Sequence, residues 1–200
     1  MFNQVTINTT RYSQLLVDLE SGNSNNSVQF DGGNSKYNAT GEVARDLLTG
    51  VGRTWTITDG GQVPFTLEVK TDEAGTSNND QFTIPTTTGT YLYDYTTSDG
   101  QSGTGLTGGT TITFASGAGT YTISITGVFP RIYFNSGGDK QKLLRVLEWG
   151  DYGFGALDQT LAFRGCTKLT SVADDTDNLN LITNAQRMFM EATSLFSLPT

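Results

Sequence analysis

The sequence predicts a mainly β chain in three parts: the end of a repeat solenoid with an α+β cap over residues 1–61, an antiparallel sandwich over 64–134, and the start of a second solenoid over 135–200. Three patterns predict it. A block toward the C-terminal side recurs with a fixed step. The middle alternates apolar and polar residues with period two. The first part carries two short helical faces beside short strands.

The repeat is read directly. Lys142-Leu143-Leu144-Arg145-Val146 returns as Lys168-Leu169-Thr170-Ser171-Val172 and again as Ser194-Leu195-Phe196-Ser197-Leu198, a step of 26 residues each time. Ala162-Phe163 and Met188-Phe189 obey the same step. A short Leu-x-x-Val strand with a distal Phe, repeated at this length, reads as a leucine-rich solenoid. One unit cannot bury its own Leu and Phe, so units must stack. Two ladders are expected: Leu143, Leu169 and Leu195, then Val146, Val172 and Leu198. The third unit stops at Thr200, and Met1-Phe2 looks like Met188-Phe189, so a piece of a longer chain is expected.

In the first part, Tyr12, Leu15, Leu16 and Leu19 share one face of a helix capped by Thr9 or Thr10. Ser21 to Ser27 is a polar loop, and Val28-Gln29-Phe30 alternates like a strand ended by Asp31-Gly32-Gly33-Asn34. A second helix spans Gly41 to Leu48, with Thr40 as cap and Val43, Leu47 and Leu48 inward. Trp55-Thr56-Ile57-Thr58 is a last strand. Gly60-Gly61-Gln62-Val63-Pro64 reads as the connector, with two Gly for freedom and Pro64 holding Val63 extended.

In the middle part the alternating sets are Phe65, Leu67, Val69; Phe82, Ile84; Tyr91, Tyr93, Tyr95; Ile112, Phe114; and Tyr121, Ile123, Ile125, with Ile132 and Phe134 closing the series. Strands about ten residues apart with Gly and Asn between them indicate a sandwich. No linker separates it from the third part, where Trp149 and Tyr152 supply large apolar groups. Trp149 is expected to be buried there, fixing the sandwich to the solenoid that follows and leaving it looser on the one before.

Composition limits the chemistry. The chain has 200 residues, 36% of them apolar, with 24 Gly. The charge is −8, from 20 acidic and 12 basic residues, which disfavours nucleic acid and anionic membrane as partners. No apolar run approaches a membrane span, so membrane insertion is not expected. Met1-Phe2-Asn3-Gln4 has neither the basic nor the apolar region of a signal peptide. There is no His, which removes Ser-His-Asp and Cys-His catalysis and His-ligated zinc. Cys166 is the single cysteine and reads as a small buried residue.

Three groups of residues resemble known families. Tyr12 to Leu16, Phe30-Asp31-Gly32-Gly33-Asn34-Ser35-Lys36-Tyr37 and Trp55-Thr56-Ile57-Thr58-Asp59-Gly60-Gly61 resemble the closing segment of BspA-like leucine-rich repeat surface proteins. Phe129-Pro130-Arg131-Ile132-Tyr133-Phe134, Gly138-Asp139-Lys140, Glu148-Trp149-Gly150-Asp151 and Ala162-Phe163-Arg164-Gly165-Cys166 resemble the point in that family where a new solenoid follows a sandwich. Gly117-Ala118-Gly119-Thr120-Tyr121-Thr122-Ile123 resembles the Gly-x-Tyr-x-Val strand of PKD-like domains, with its Tyr in the core. The resemblance implies a PKD/Ig-like sandwich between two leucine-rich-repeat segments. Where family members often carry an Asp-Trp-Asp-x-Asp-Gly run, this chain has Asp94-Tyr95-Thr96-Thr97-Ser98-Asp99-Gly100, which keeps two carboxylates of the acidic set on which a calcium role would rest.

Other sites are weaker. Asp174, Asp175 and Asp177 read as a solvated acidic loop before they read as a calcium site. Gly103-Thr104-Gly105 lacks a phosphate-loop pattern and reads as a turn between strands. Thr56/Thr58 and Thr111/Thr113 alternate as on a wet sheet face rather than an ice-binding one, and Tyr91 or Tyr93 offers a ring for sugar stacking. No catalytic, cofactor or metal residue is assigned.

The resemblance implies a non-catalytic adhesion or interaction protein displayed on a cell surface, meeting a protein or glycan on another surface and continued by further repeats of its parent. A structural or receptor-binding protein of a virus particle, such as a tail fibre, is one alternative. A carbohydrate-active enzyme using a carboxylate pair is another. An architectural spacer without ligand is a third.

Overall fold

The computed structural model describes residues 4–153, 158–175, 179 and 182–196. They form two compact units, Met1–Val63 and Pro64–Thr200. The fold is mainly β with antiparallel sheets.

In the first unit, α1 is Thr9–Gly22, β1 is Gln29–Asp31, α2 is Ala39–Thr49 and β2 is Thr56–Thr58. Asn8 caps α1 in place of the expected Thr9 or Thr10: its Oδ1 accepts from Thr10 N at 3.1 Å and Arg11 N at 3.4 Å. Asn38, not Thr40, caps α2, accepting from Gly41 N at 3.2 Å. Tyr12 and Leu16 are fully buried, as their spacing predicts, while Leu15 and Leu19 pack at the edge of the core. The inward face of α2 differs from expectation. Val43 and Leu47 are 60% and 55% exposed, and Gly41, Ala44 and Leu48 point inward instead. Close approach of the helices is the reason, since a Cβ on Gly41 would lie 2.9 Å from the Ser13 backbone. Packing on the small side of α2 turns Val43 and Leu47 outward.

The expected connector is largely tied down within this unit. Gly60 N donates to Ser35 O at 2.9 Å, and Val63 N to Tyr37 O at 2.9 Å. Gly61 N donates to Asp59 Oδ1 at 3.1 Å. A Cβ on Gly60 would lie 2.5 Å from Asn34 O, so this Gly serves close packing rather than freedom.

In the second unit β3 is Phe65–Lys70, β4 Gln81–Ile84, β5 Leu92–Thr97, β6 Ser102–Leu106, β7 Thr110–Thr113, β8 Thr120–Val128 and β9 Leu143–Glu148. A five-stranded sheet runs β6-β5-β8-β3-β9, and β4 pairs with β7. The inward residues of both sheets, among them Leu67, Val69, Ile123 and Ile125 against Phe82, Ile84, Ile112 and Phe114, belong to one core, consistent with a β-sandwich. Tyr121 stacks on Phe114 with ring centroids 4.1 Å apart and donates to Gly117 O at 2.8 Å.

Two expectations change here. Gly103-Thr104-Gly105 lies inside β6 rather than between strands. Its lack of alternation hid it, and Gly103 is required there because a Cβ would lie 2.5 Å from the Tyr95 ring. Ile132 and Phe134 are buried as expected but form no strand. Tyr133 N donates to Pro85 O, and Phe134 N to Ala162 O, so their backbone serves two neighbours instead of one ladder.

β9 has two roles. On one edge it runs antiparallel to β3, with Leu67 opposite Val146, and Arg145 meets Glu68 at 2.8 and 2.5 Å. On the other edge Arg145 bridges Ser171 in parallel, and Thr170 N donates to Leu144 O at 2.8 Å. A strand from the third predicted part therefore completes the sheet of the second.

Beyond β9, backbone hydrogen bonds join described segments that lie about 25–28 residues apart in sequence. Asn135 N donates to Leu161 O, and Leu161 N to Gln186 O. Phe163 stacks on Phe189 at 5.3 Å with planes 12° apart. Leu143 and Leu169 are fully buried, and Leu195 packs half-buried against the same core. Val146 is buried and Val172 half-buried, while Leu198 lies outside the described residues. Leu169→Ala is expected to cost about 2–5 kcal/mol by leaving a cavity between layers. Urea melts measure this, and an unchanged midpoint would contradict stacking.

Candidate binding face

In β1 and β2 the period of two divides the side chains. Phe30 and Ile57 turn toward the core, where Phe30 stacks on Tyr12 at 6.4 Å. Gln29, Phe30, Asp31, Thr56 and Thr58 line an open depression of about 460 Å³ over the two strands. The strands are parallel, with Gln29 beside Thr56 and Asp31 beside Thr58. Neighbouring strands lie about 4.8 Å apart, which places an amide, a carboxylate and two hydroxyls in a tight array.

The array is held from behind. The Asp59 carboxylate accepts from Tyr12 Oη at 3.0 Å and Arg45 Nε at 2.9 Å. Arg45 Nη2 donates to Ile57 O at 3.2 Å and its guanidinium lies over the Tyr37 ring. Burial, reinforced by the Asp59 charge, pushes the Tyr12 hydroxyl pKa up, so it stays a donor. A Cβ on Gly32 would lie 2.2 Å from Tyr12 Oη, so only Gly lets the chain turn here. Gly33 N then donates to Asp31 Oδ1 at 2.9 Å and orients that carboxylate. The sequence places Asp31 in a turn and Thr56 and Thr58 on a wet strand face; the parallel register that gathers them is not encoded in any local pattern.

A second charged cluster sits in the other unit. Asp139 and Lys142 are 1% and 0% exposed. Asp139 accepts from Thr76 N, Ser77 N and Thr83 N at 2.7–2.9 Å and from Ser77 Oγ at 2.7 Å. Lys142 Nζ donates to Ser77 Oγ, Asn78 O and Gln81 O at 2.7–2.9 Å, and more distantly to Ser77 O at 3.1 Å. Both charges are spent holding the loop before β4 to the segment before β9, which is a structural joint. Burial alone would raise the Asp139 carboxyl. The Ser77 and Thr83 N–H groups, the Ser77 hydroxyl and Lys142 outweigh it, and the pKa falls below the ordinary 3.8. The stability this group contributes is complete above that ordinary value and is lost as pH falls through the lower folded value. Asp139→Asn should therefore flatten the acid limb of the unit's stability curve. An acid limb as steep as that of the unaltered chain would show that Asp139 does not set it.

The remaining candidates scatter. Asp94 Oδ1 accepts from Gly105 N at 2.8 Å across β5 and β6, and Asp99 Oδ1 accepts from Thr97 Oγ1 at 2.6 Å within its own turn. The Asp175 carboxylate accepts from Trp149 N and Gly150 N at 2.9–3.0 Å, Asp174 is exposed, and Asp177 lies outside the described residues. Among the described residues no group of three His, Cys, Asp or Glu is placed to hold a metal ion. Cys166 is fully buried, and burial pushes its thiol pKa up. Tyr91 and Tyr93 are 4% and 1% exposed and donate to Arg131 O and Gly108 O, so neither ring is open to a sugar. Thr111 bonds Thr83, and Thr113 accepts from Gln81, across the outer face of β4 and β7. No helix among the described residues is long and apolar enough to cross a membrane. No family model, curated protein or solved structure matches the chain.

Proposed function

We propose that this chain belongs to a non-catalytic, surface-displayed interaction protein: a PKD/Ig-like sandwich set between leucine-rich-repeat segments, meeting a glycan on another surface. What carries the reading is the depression over β1 and β2. Its amide, carboxylate and paired hydroxyls are groups that hydrogen-bond a hydroxyl-rich ligand. Its openness toward solvent suits binding by area rather than turnover in an enclosed cleft. The stacked layers of the second unit support the repeat assignment, because their spacing reproduces the sequence step.

Calorimetric titration with a panel of soluble polysaccharides, together with a reducing-end assay on the same mixtures, tests it. The expected result is binding of at least one glycan, weakened about tenfold by Asp31→Ala, with no new reducing ends. Release of reducing ends would transfer the chain to the carbohydrate-active enzymes. Binding indifferent to Asp31→Ala and Thr58→Ala would remove this face from the function.

A further inference from the structure

The turn before β9 differs from its counterparts one and two sequence steps later. Cys166 and Ala192 donate their N–H groups to Phe163 O and Phe189 O at 3.2 and 3.0 Å, and Thr167 N donates to Gly165 O at 2.8 Å. Lys140 and Gln141 hold the places of Cys166 and Thr167 one step earlier. Their N–H groups meet no acceptor among the described residues. The backbone accounts for the difference. Gly165 and Glu191 are left-handed, with φ of 81° and 66°. Asp139, in their place, is not, and Gly138 is left-handed instead, at 58°.

This turn meets the loop between β3 and β4. Ala74, Gly75, Ser136, Gly138, Lys140 and Gln141 line a depression of about 300 Å³. The N–H groups of Ala74, Gly75 and Gly138 also lack an acceptor among the described residues, so five backbone donors border one hollow. Its floor is fixed. A Cβ on Gly75 would lie 2.5 Å from Asp139 Oδ1 and 2.7 Å from Lys142 Cε, so only glycine brings the loop down onto the buried joint. Charge points the same way. Lys140 Nζ donates to Ser136 O at 2.6 Å and has no carboxylate partner among the described residues. The carboxylates around it are already matched. Asp139 accepts from the N–H groups of Thr76, Ser77 and Thr83, and Glu191 from Arg164 and the Ser136 hydroxyl. Glu73 meets Lys70 and Lys168.

We propose that this hollow binds the carboxylate of an acidic sugar, a uronate unit of a glycan. Successive backbone N–H groups make a concavity for an anion, and an ammonium beside them adds a charge-assisted bond. The rest of the lining suits a sugar ring better than a peptide end. Apart from Ala74 its side chains are polar or absent, and the Gln141 amide has no partner among the described residues. A peptide C-terminus needs an apolar recess for its last side chain. The choice of a saccharide rests on the glycan reading above.

The test is a titration of the isotope-labelled chain followed by its amide shifts in NMR. Sodium glucuronate should move the amides of Gly75, Gly138, Lys140 and Gln141 saturably. Glucose, and sodium chloride at matched ionic strength, should leave them in place. Lys140→Gln should weaken the response about tenfold, and Lys140→Arg should retain it. Amides that do not move with glucuronate would overturn the inference. An equal response to chloride would overturn it too, as the mark of an adventitious ion only. So would tighter binding of a short peptide with a free C-terminal carboxylate, which would make a protein the ligand. Saturable glucuronate shifts here, in a chain whose polysaccharide binding is indifferent to Asp31→Ala, would keep this site and remove only the face over β1 and β2.

Discussion

Lys142→Ala is expected to destabilise the Pro64–Thr200 unit by about 3–5 kcal/mol, because it removes the charged donor that satisfies a buried cage of oxygens, the Ser77 hydroxyl among them. Ser77 O, Asn78 O and Gln81 O lose their donor in the same step. Lys142→Met should cost nearly as much although it keeps the apolar stem, since the ammonium rather than the stem fills the oxygen cage. Lys168 is the control. It occupies the same place in the next repeat, is half exposed, and meets Glu73 only at 3.6 Å. Lys168→Ala should stay within about 0.5 kcal/mol. Urea melts at neutral pH compare the three. Equal losses for Lys142→Ala and Lys168→Ala would mean that the buried joint does not hold the unit together.

Trp149→Ala is the second large effect, expected at about 3–5 kcal/mol. Trp149 is 1% exposed and lies 6.0 Å from Phe65 of β3, 5.2 Å from Tyr152 and 5.7 Å from Phe163. Its ring thus joins the sheet to the first layer of coils, and its Nε1 donates to Ala173 O at 3.0 Å. Trp149→Phe should recover most of the packing and forfeit the hydrogen bond, at about 1 kcal/mol. Thermal melts followed by circular dichroism measure both. A melting temperature unchanged by Trp149→Ala would contradict its place at the junction.

Those two residues show what the sequence could and could not reveal. Trp149 was legible, because a large apolar residue at the base of a repeat has nowhere to go but inward. The alternating strands were legible for the same reason: burial of Phe65, Leu67 and Val69 on one face is written as period two. Lys142 was not. It carries the same letter as Lys168, and only the β3–β4 loop, far away in sequence, decides that one is buried and the other wet. β6 was hidden because its pairing depends on an absent side chain at Gly103 beneath Tyr95. On α2 the hydrophobic letters misled. The contact face is set by how closely two helices approach, and Gly41 and Ala44 permit what Val43 and Leu47 do not. The polar face over β1 and β2 needs a parallel register between strands 27 residues apart, which no local pattern encodes.

β9 pairs with β3 on one edge and with the Thr170–Ser171 segment on the other, so Pro64–Thr200 is expected to unfold as one body. Native-state amide exchange across a series of low urea concentrations tests it most directly. The prediction is that Ile123 and Ile125 in β8, Val146 in β9, and Leu161 and Phe163 in the coils converge on one opening free energy and one urea dependence. Coil amides that open at lower free energy, with a smaller urea dependence, while β8 stays closed would contradict it.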